Sequence, residues 1–468
     1  MKLILTFFTF LLLILTTSAQ TYITHASLID PVTQKTLPDQ TIIYQGGKII
    51  QVGASTKIKV PKGATIIDAK GKWVMPGMVD AHVHFFQTGG LYTRPDGIDL
   101  RKYKPYEQEI TWYKQHMEQQ LRRYTAAGIT TVIDDGTTLA LLQQRDTFAN
   151  KDYAPRIYMA GPLISTGYDP PPFDSLTDPD KPIYAVNSPG QAVQKITSEY
   201  PYHPDFIKIW YIVLDPDTQT GAEKNLPSVK ATIAEAHAHG YKVAVHATER
   251  ITAQLAVQAG ADFLVHDVED EVVDDAFVRL LKDRHIVLCP TLVVMSGYFD
   301  TFGGNYVPTP EDIRLGDPEQ LRSLQDLEHL PDTALVKRYH LLARMRAKRT
   351  AQQDSIRKVN LKKMTDAGVI IATGTDAGNI GTLHASSFFK EIRAMQQAGL
   401  SNWQIITAST LGGAKALGKE GLFGSIRPGL SADMLLLNAD PVADLAGLEK
   451  LESVIQRGVR LYPEKVRP

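Results

Sequence analysis

Four histidines and an aspartate of metal-ligand type carry the chemistry readable in this chain, together with a lysine that sits badly among them. His82 and His84 occur in Pro76-Gly77-Met78-Val79-Asp80-Ala81-His82-Val83-His84. Residues two apart on a strand face one side, so both imidazoles can reach a single ion. Such pairs arise often by chance, and one pair alone decides nothing. His246 closes the run Val243-Ala244-Val245-His246, and His266 closes Phe263-Leu264-Val265-His266. Asp376 follows Ile370-Ile371-Ala372-Thr373-Gly374-Thr375. A satisfied core histidine is the ordinary reading of any one of these. Separate strand ends all finishing in metal-competent side chains make that reading improbable for the set.

Lys208, in Asp205-Phe206-Ile207-Lys208-Ile209-Trp210, is the informative residue. Alternation puts Phe206, Lys208 and Trp210 on one face and Ile207 and Ile209 on the other. The bland readings are a lysine that snorkels to the rim or pairs with a buried acid. Facing the histidines, its ammonium would be repelled by a divalent cation. One unit charge at contact distance costs about 4 kcal/mol at an effective dielectric near 20. A neutral amine escapes this, and so does a carbamate formed with CO2. The carbamate reverses the sign and offers two oxygens, enough to bridge two metals, and is the preferred reading.

The elements that must position these residues follow a repeating rhythm of helix, closing glycine and short β-branched run. It is seen in Ala126-Ala127-Gly128-Ile129-Thr130-Thr131-Val132 and again in Asp366-Ala367-Gly368-Val369-Ile370. Glycine past a helix end takes the left-handed cap that turns the chain back, and helices alternating with apolar strands imply a parallel sheet. Candidate strands are Met78–His84, Ile129–Asp134, Arg156–Ala160, Phe206–Ile212, Val243–His246, Phe263–His266, Ile286–Cys289 and Ile370–Thr375. These point to an α/β fold, a closed (β/α)8 barrel of TIM type, whose strand carboxyl ends share one mouth. Residues 291–369 separate the last two strands; their polar first half is expected to be a loop over that mouth, and roughly 334–364 a helix. Both chain ends carry short strands, with a hairpin at Tyr44-Gln45-Gly46-Gly47-Lys48. They are expected to meet in one small β-sandwich, residues 20–76 with 425–468, beside a barrel domain over 77–424.

The first residues stand apart from the fold. Met1-Lys2, the uncharged run Leu3–Leu15 and Thr16-Thr17-Ser18-Ala19 match a secretory signal peptide, residues 1–19, cleaved near Ala19. The run is shorter than the roughly 20 residues of a bilayer span. An exported, periplasmic or secreted chain without a membrane span in its mature form is expected. Basic and acidic residues nearly cancel (50 against 51), which argues against nucleic acid as a partner. The single cysteine, Cys289, excludes an intrachain disulfide and is expected to be a packed strand residue. A homo-oligomer is compatible with this composition.

Together these residues resemble the amidohydrolase superfamily, most closely its imidazolonepropionase-like and prolidase-like branch. The resemblance runs from Gly71-Lys72-Trp73-Val74-Met75-Pro76-Gly77, through Asp80–His84, Asp205–Ile209, the strand-end histidines and Gly374-Thr375-Asp376-Ala377, to Gly424-Ser425-Ile426-Arg427-Pro428-Gly429. It implies two divalent metal ions: His82, His84 and Asp376 on one, His246 and His266 on the other, and carboxylated Lys208 between them. Histidine and carboxylate ligation favours zinc, although other first-row ions suit the set. Two ions sharing a water would make hydroxide available near neutral pH, with Asp376 as general base and then acid. The branch suggests a small-molecule substrate, a dipeptide (Xaa-Pro or related) or an N-acyl amino acid. Tyr168, Tyr211 and Arg94 are candidate substrate contacts without a distinguishing signal, and His384 is as well read as structural. The rivals are a mononuclear cyclic amidohydrolase or deaminase, in which Lys208 is no ligand, and a non-catalytic exported barrel.

Overall fold

The computed structural model describes residues 19–173 and 176–468. The signal peptide expected over residues 1–19 lies, but for Ala19, outside the described residues. Among the described residues no helix is long and apolar enough to cross a membrane.

Every expected barrel strand is present. Met78–Val83, Ile129–Asp134 and Arg156–Met159 form one parallel ladder. The chain then continues into Leu163–Thr166, which pairs with Ile207–Tyr211, followed in order by Val243–His246, Phe263–Val265, Val287–Cys289 and Ile370–Ile371. The two ladders join at both seams through backbone hydrogen bonds. Asp205 N donates to Met159 O at 2.8 Å on one side, and Ala81 N donates to Thr373 O at 2.8 Å on the other. The barrel is therefore closed. Its last strand is shorter than the expected Ile370–Thr375 because Thr373 N turns to Ala408 O and Thr375 N to His82 O.

Alternation sorts the barrel side chains as expected. Phe206 joins Val79, Ala81, Ala244, Phe263 and Cys289 in the interior cluster, whereas Ile207 and Ile209 pack in the larger core outside it. Cys289 is a packed strand residue with no exposure. Interior space is tight, which is why Gly374 is glycine: a Cβ there would lie 2.4 Å from Cys289 Sγ and 2.7 Å from His82 N.

The two chain ends share one hydrogen-bonded sheet. Trp73–Pro76 pairs antiparallel with Met434–Leu437 on one side and parallel with Thr21–Asp30 on the other. The hairpin Lys35–Gln45 to Lys48–Ala54 turns at Gly46 and Gly47, both at positive φ (55° and 78°), as a tight primed turn requires. This sheet has a core of its own, including Ile23, Ile42, Val74, Met434, Leu436 and Ile455.

The segment after the seventh barrel strand corrects one expectation. Its polar first half is not a loop but short helices, Val294–Phe302, Pro310–Leu315 and Pro318–Ser323, ahead of the long helix Thr333–Asp366. The signals were in the sequence. Thr309 and Asp312 form a reciprocal capping box with Pro310 at the first turn, and Asp317 caps the helix that Pro318 opens. Leu91, Leu324 and Leu327 supply an apolar cluster that the polarity of the segment concealed.

Candidate metal centre

Strand Met78–Val83 delivers the first pair through an irregularity. Val79 and Ala81 point into the interior cluster, so strict alternation would turn His82 outward. The ladder with Ile129–Asp134 shifts register between Asp80 and Val83, the local re-aiming that bulges provide. His82 and His84 thereby bring their Nε2 atoms within 3.2 Å. Asp376 Oδ1 stands 3.4 Å from His82 Nε2 and 3.1 Å from His84 Nε2. With metal–ligand bonds of about 2.0–2.2 Å, donors on one ion lie roughly 3–4.4 Å apart, and all three distances fall in that range. These residues form the tightest ligand-type group among the described residues.

The tautomer of His84 follows from its partner. Its Nδ1 lies 3.0 Å from the carbonyl of Gly136, which can only accept, so Nδ1 carries the proton and Nε2 presents a lone pair. Asp376 is placed by backbone and neighbours. Its N–H donates to His82 O at 2.7 Å, and its φ of 57° is left-handed, a costly state for a residue with a side chain. Thr375 anchors that turn on Asp80, donating from N at 3.1 Å and from Oγ1 at 2.9 Å.

On the far side, His266 also has a left-handed backbone (φ 73°) and its Nδ1 lies 2.6 Å from Thr291 Oγ1. Its ring stands 4.3 Å from that of His246 and 5.0 Å from that of His82, centroid to centroid. Lys208 is 2 % exposed. Burial and then the Lys208 charge hold His82 and His246 well below the usual imidazole range. Burial and then His246 do the same for His266. Neutral imidazole is the ligand form. Burial likewise lowers Lys208 from the ordinary lysine value, against the pull of Asp135 and Asp376, which moves it toward the neutral amine that can attack CO2. The donor set, all predicted from the sequence, is brought to one place. It fits a divalent metal centre: neutral imidazoles, and an Asp376 Oδ1 without a hydrogen-bond donor among the described residues.

A cavity of about 220 Å³ opens onto this cluster. His84, Lys208, His246, His266 and Asp376 line it, with Phe86, Trp210 and Met295 among its apolar walls. Arg94 also lines it, but its guanidinium is held by Asp96 (2.6 and 2.8 Å) and by Asn379 Oδ1 (2.5 Å). Of the other candidate contacts, Tyr211 is spent on the carbonyl of Ala222 at 2.5 Å, and Tyr168 packs edge-on against Trp210. His384 is structural: Nε2–H donates to Gln87 O at 2.9 Å, Nδ1 accepts from the Tyr124 hydroxyl at 2.9 Å, and burial lowers it to about 4. Asp135 and Arg357 were missed. Asp135 directly follows the second strand, Ile129–Asp134, and so reaches the same mouth, a signal the sequence did hold. Arg357 reaches the cavity from the long helix, where no local pattern marks it.

Residues 73–460 match the model of the amidohydrolase family. The chain belongs to the amidohydrolase family. Like its family, it is a metal-dependent hydrolase of C–N bonds. Among curated amidohydrolase relatives, a 5'-deoxyadenosine deaminase of Methanosarcina mazei is 23% identical over 419 residues, 85% of this chain and 79% of that protein. An imidazolonepropionase of Syntrophobacter fumaroxidans is 40% identical over 86 residues, 18% of this chain and only 20% of that protein's length. Among solved structures, a Xaa-Pro dipeptidase with bound methionine superposes with a TM-score of 0.70 at 24% identity, covering 95% of this chain and 100% of that one. That likeness confirms the barrel-plus-sheet architecture.

Proposed function

We propose that the chain is an exported binuclear amidohydrolase that cleaves the amide bond of a dipeptide or N-acyl amino acid. Residues 77–424 form its catalytic barrel domain, and residues 20–76 with 425–468 the composite domain beside it. His82, His84 and Asp376 would hold one divalent ion and His246 and His266 a second, with a carbamate on Lys208 serving both. The observation that carries this reading is Lys208, buried among imidazoles at the mouth that also receives Asp376. An ammonium there opposes metal binding, whereas its neutral amine can attack CO2, forming the N–C bond and releasing one proton. Bound ions, zinc in the first instance, would supply a water of lowered pKa and polarisation of the scissile carbonyl.

The chain's own residues do the rest. Asp376, which lines the cavity, takes the proton of the attacking water and returns it to the leaving nitrogen. Phe86, Trp210 and Met295 exclude solvent around the bond and accept an apolar substrate group. The fold likeness to a Xaa-Pro dipeptidase supports a dipeptide as substrate. A second reading, a mononuclear deaminase or cyclic amidohydrolase, is supported by the tight His82–His84–Asp376 group and by the long match to a deaminase. Metal-loaded protein tested against dipeptides, N-acyl amino acids, cyclic amides and adenosine-type amines separates the two. Release of free amino acid from a dipeptide or N-acyl amino acid is expected. Ammonia release or ring opening with inert dipeptides would overturn the proposal.

A further inference from the structure

The centre holds a carboxylate beyond the family's expected set. Asp134 ends the second barrel strand and Asp135 directly follows it, but the two are treated differently. Asp134 is pinned, accepting from Phe85 N at 3.1 Å and from Gly136 N at 3.2 Å. Asp135 is just as buried, at 0% exposure, yet neither of its oxygens has a hydrogen-bond donor among the described residues. A buried carboxylate without a protein donor is costly, and a cationic partner relieves that cost. Its surroundings say which. Asp135 Oδ2 lies 3.8 Å from His82 Nε2, within the roughly 3–4.4 Å that separates two donors of one ion. Lys208 is the cation that influences Asp135 most, and Asp376 is the neighbouring acid. Arginine could have satisfied the group, but none reaches it among the described residues; a short ion pair with Lys208 is likewise missing.

We propose that Asp135 is a further protein ligand of the centre, on the ion held by His82. The proposal rests on the metal reading above. It gives that ion one more anionic oxygen than histidines and Asp376 provide. Extra oxygen ligation raises the coordination number and suits ions that prefer six ligands over the tetrahedral preference of zinc. The added negative charge also offsets part of the excess positive charge that two divalent ions bring.

Cobalt(II) reports the ligand field directly. Wild type, Asp135→Asn and Asp135→Ala are loaded with Co²⁺, and the visible absorption bands and the affinity, by chelator competition, are recorded. Asp135→Asn keeps the shape and carries the comparison should Asp135→Ala fail to fold. The expected result is altered bands together with affinity for one ion weakened about tenfold or more. Bands identical to wild type in the folded variants, with or without weaker binding, overturn direct ligation. Wild type that binds no Co²⁺ would instead sink the metal reading itself, so the two failures are distinguishable.

Discussion

The barrel mouth and the sheet made from the two chain ends are built on opposite terms. The mouth buries Lys208, Asp135, His82 and Asp376 with few mutual hydrogen bonds, and it bends the backbone into left-handed states at His266 and Asp376. The sheet buries polar groups only with partners: Thr41 bonds Ser55 Oγ at 2.9 Å, and Asp433 takes Arg156 at 3.1 Å. Its centre is aliphatic, with Val74, Leu436 and Ile455 at 0–1% exposure. Stability is therefore concentrated in the sheet and the barrel core, and given up at the mouth, where ionisable groups are buried with few protein partners.

That contrast can be broken by substitutions on either side. Lys208→Ala is expected to lower kcat/KM by about a thousandfold or more in a steady-state assay, without lowering the melting temperature of the metal-free protein. A large stability loss with retained turnover would reverse the assignment of roles. Leu436→Ala should do the opposite: about 2–5 kcal/mol less stable in denaturant titration, with kcat/KM within roughly twofold of wild type. Thr375→Val lies between the two. It removes the bond to Asp80 Oδ2 (2.9 Å) and the acceptor of Ala377 N (3.1 Å), so about 1–3 kcal/mol and a partial loss of kcat are expected together.

The smallest expected effect concerns pH. Burial lowers His384 in the folded chain to about 4, below its unfolded value of 6.5. The unfolded chain thus binds the proton first, so the stability His384 contributes is fully present above pH 6.5 and lost as pH falls toward about 4. Melting temperatures of the metal-free protein should decline over that window, and less steeply in His384→Phe. Equal slopes would remove His384 from the account.

Most of the architecture was legible because its signals are local and periodic. Glycine caps such as Gly128 and Gly368 mark helix-to-strand turns, and β-branched runs mark each barrel strand. The gathering of the candidate ligands at one mouth was legible because strand-end residues converge in this topology whatever their sequence separation. What escaped was decided by packing. The bulge that turns His82 inward lies in the pairing with the second strand, and strict alternation from Val79 would have faced it away. Asp135 is the exception, a residue directly after the second barrel strand that went unremarked. Arg357 reaches the cavity from the long helix Thr333–Asp366, far along the chain from the strand ends. The short helices before it were hidden by their polar faces, although Thr309 and Asp317 announced their starts.

The central claim is that Lys208 joins two halves of one metal centre. Elemental analysis of protein loaded with zinc in bicarbonate buffer, beside Lys208→Ala treated alike, tests it most directly. About two ions per wild-type chain, both lost in the variant, is the predicted outcome. About one ion in each, with the variant as active as wild type, would contradict it.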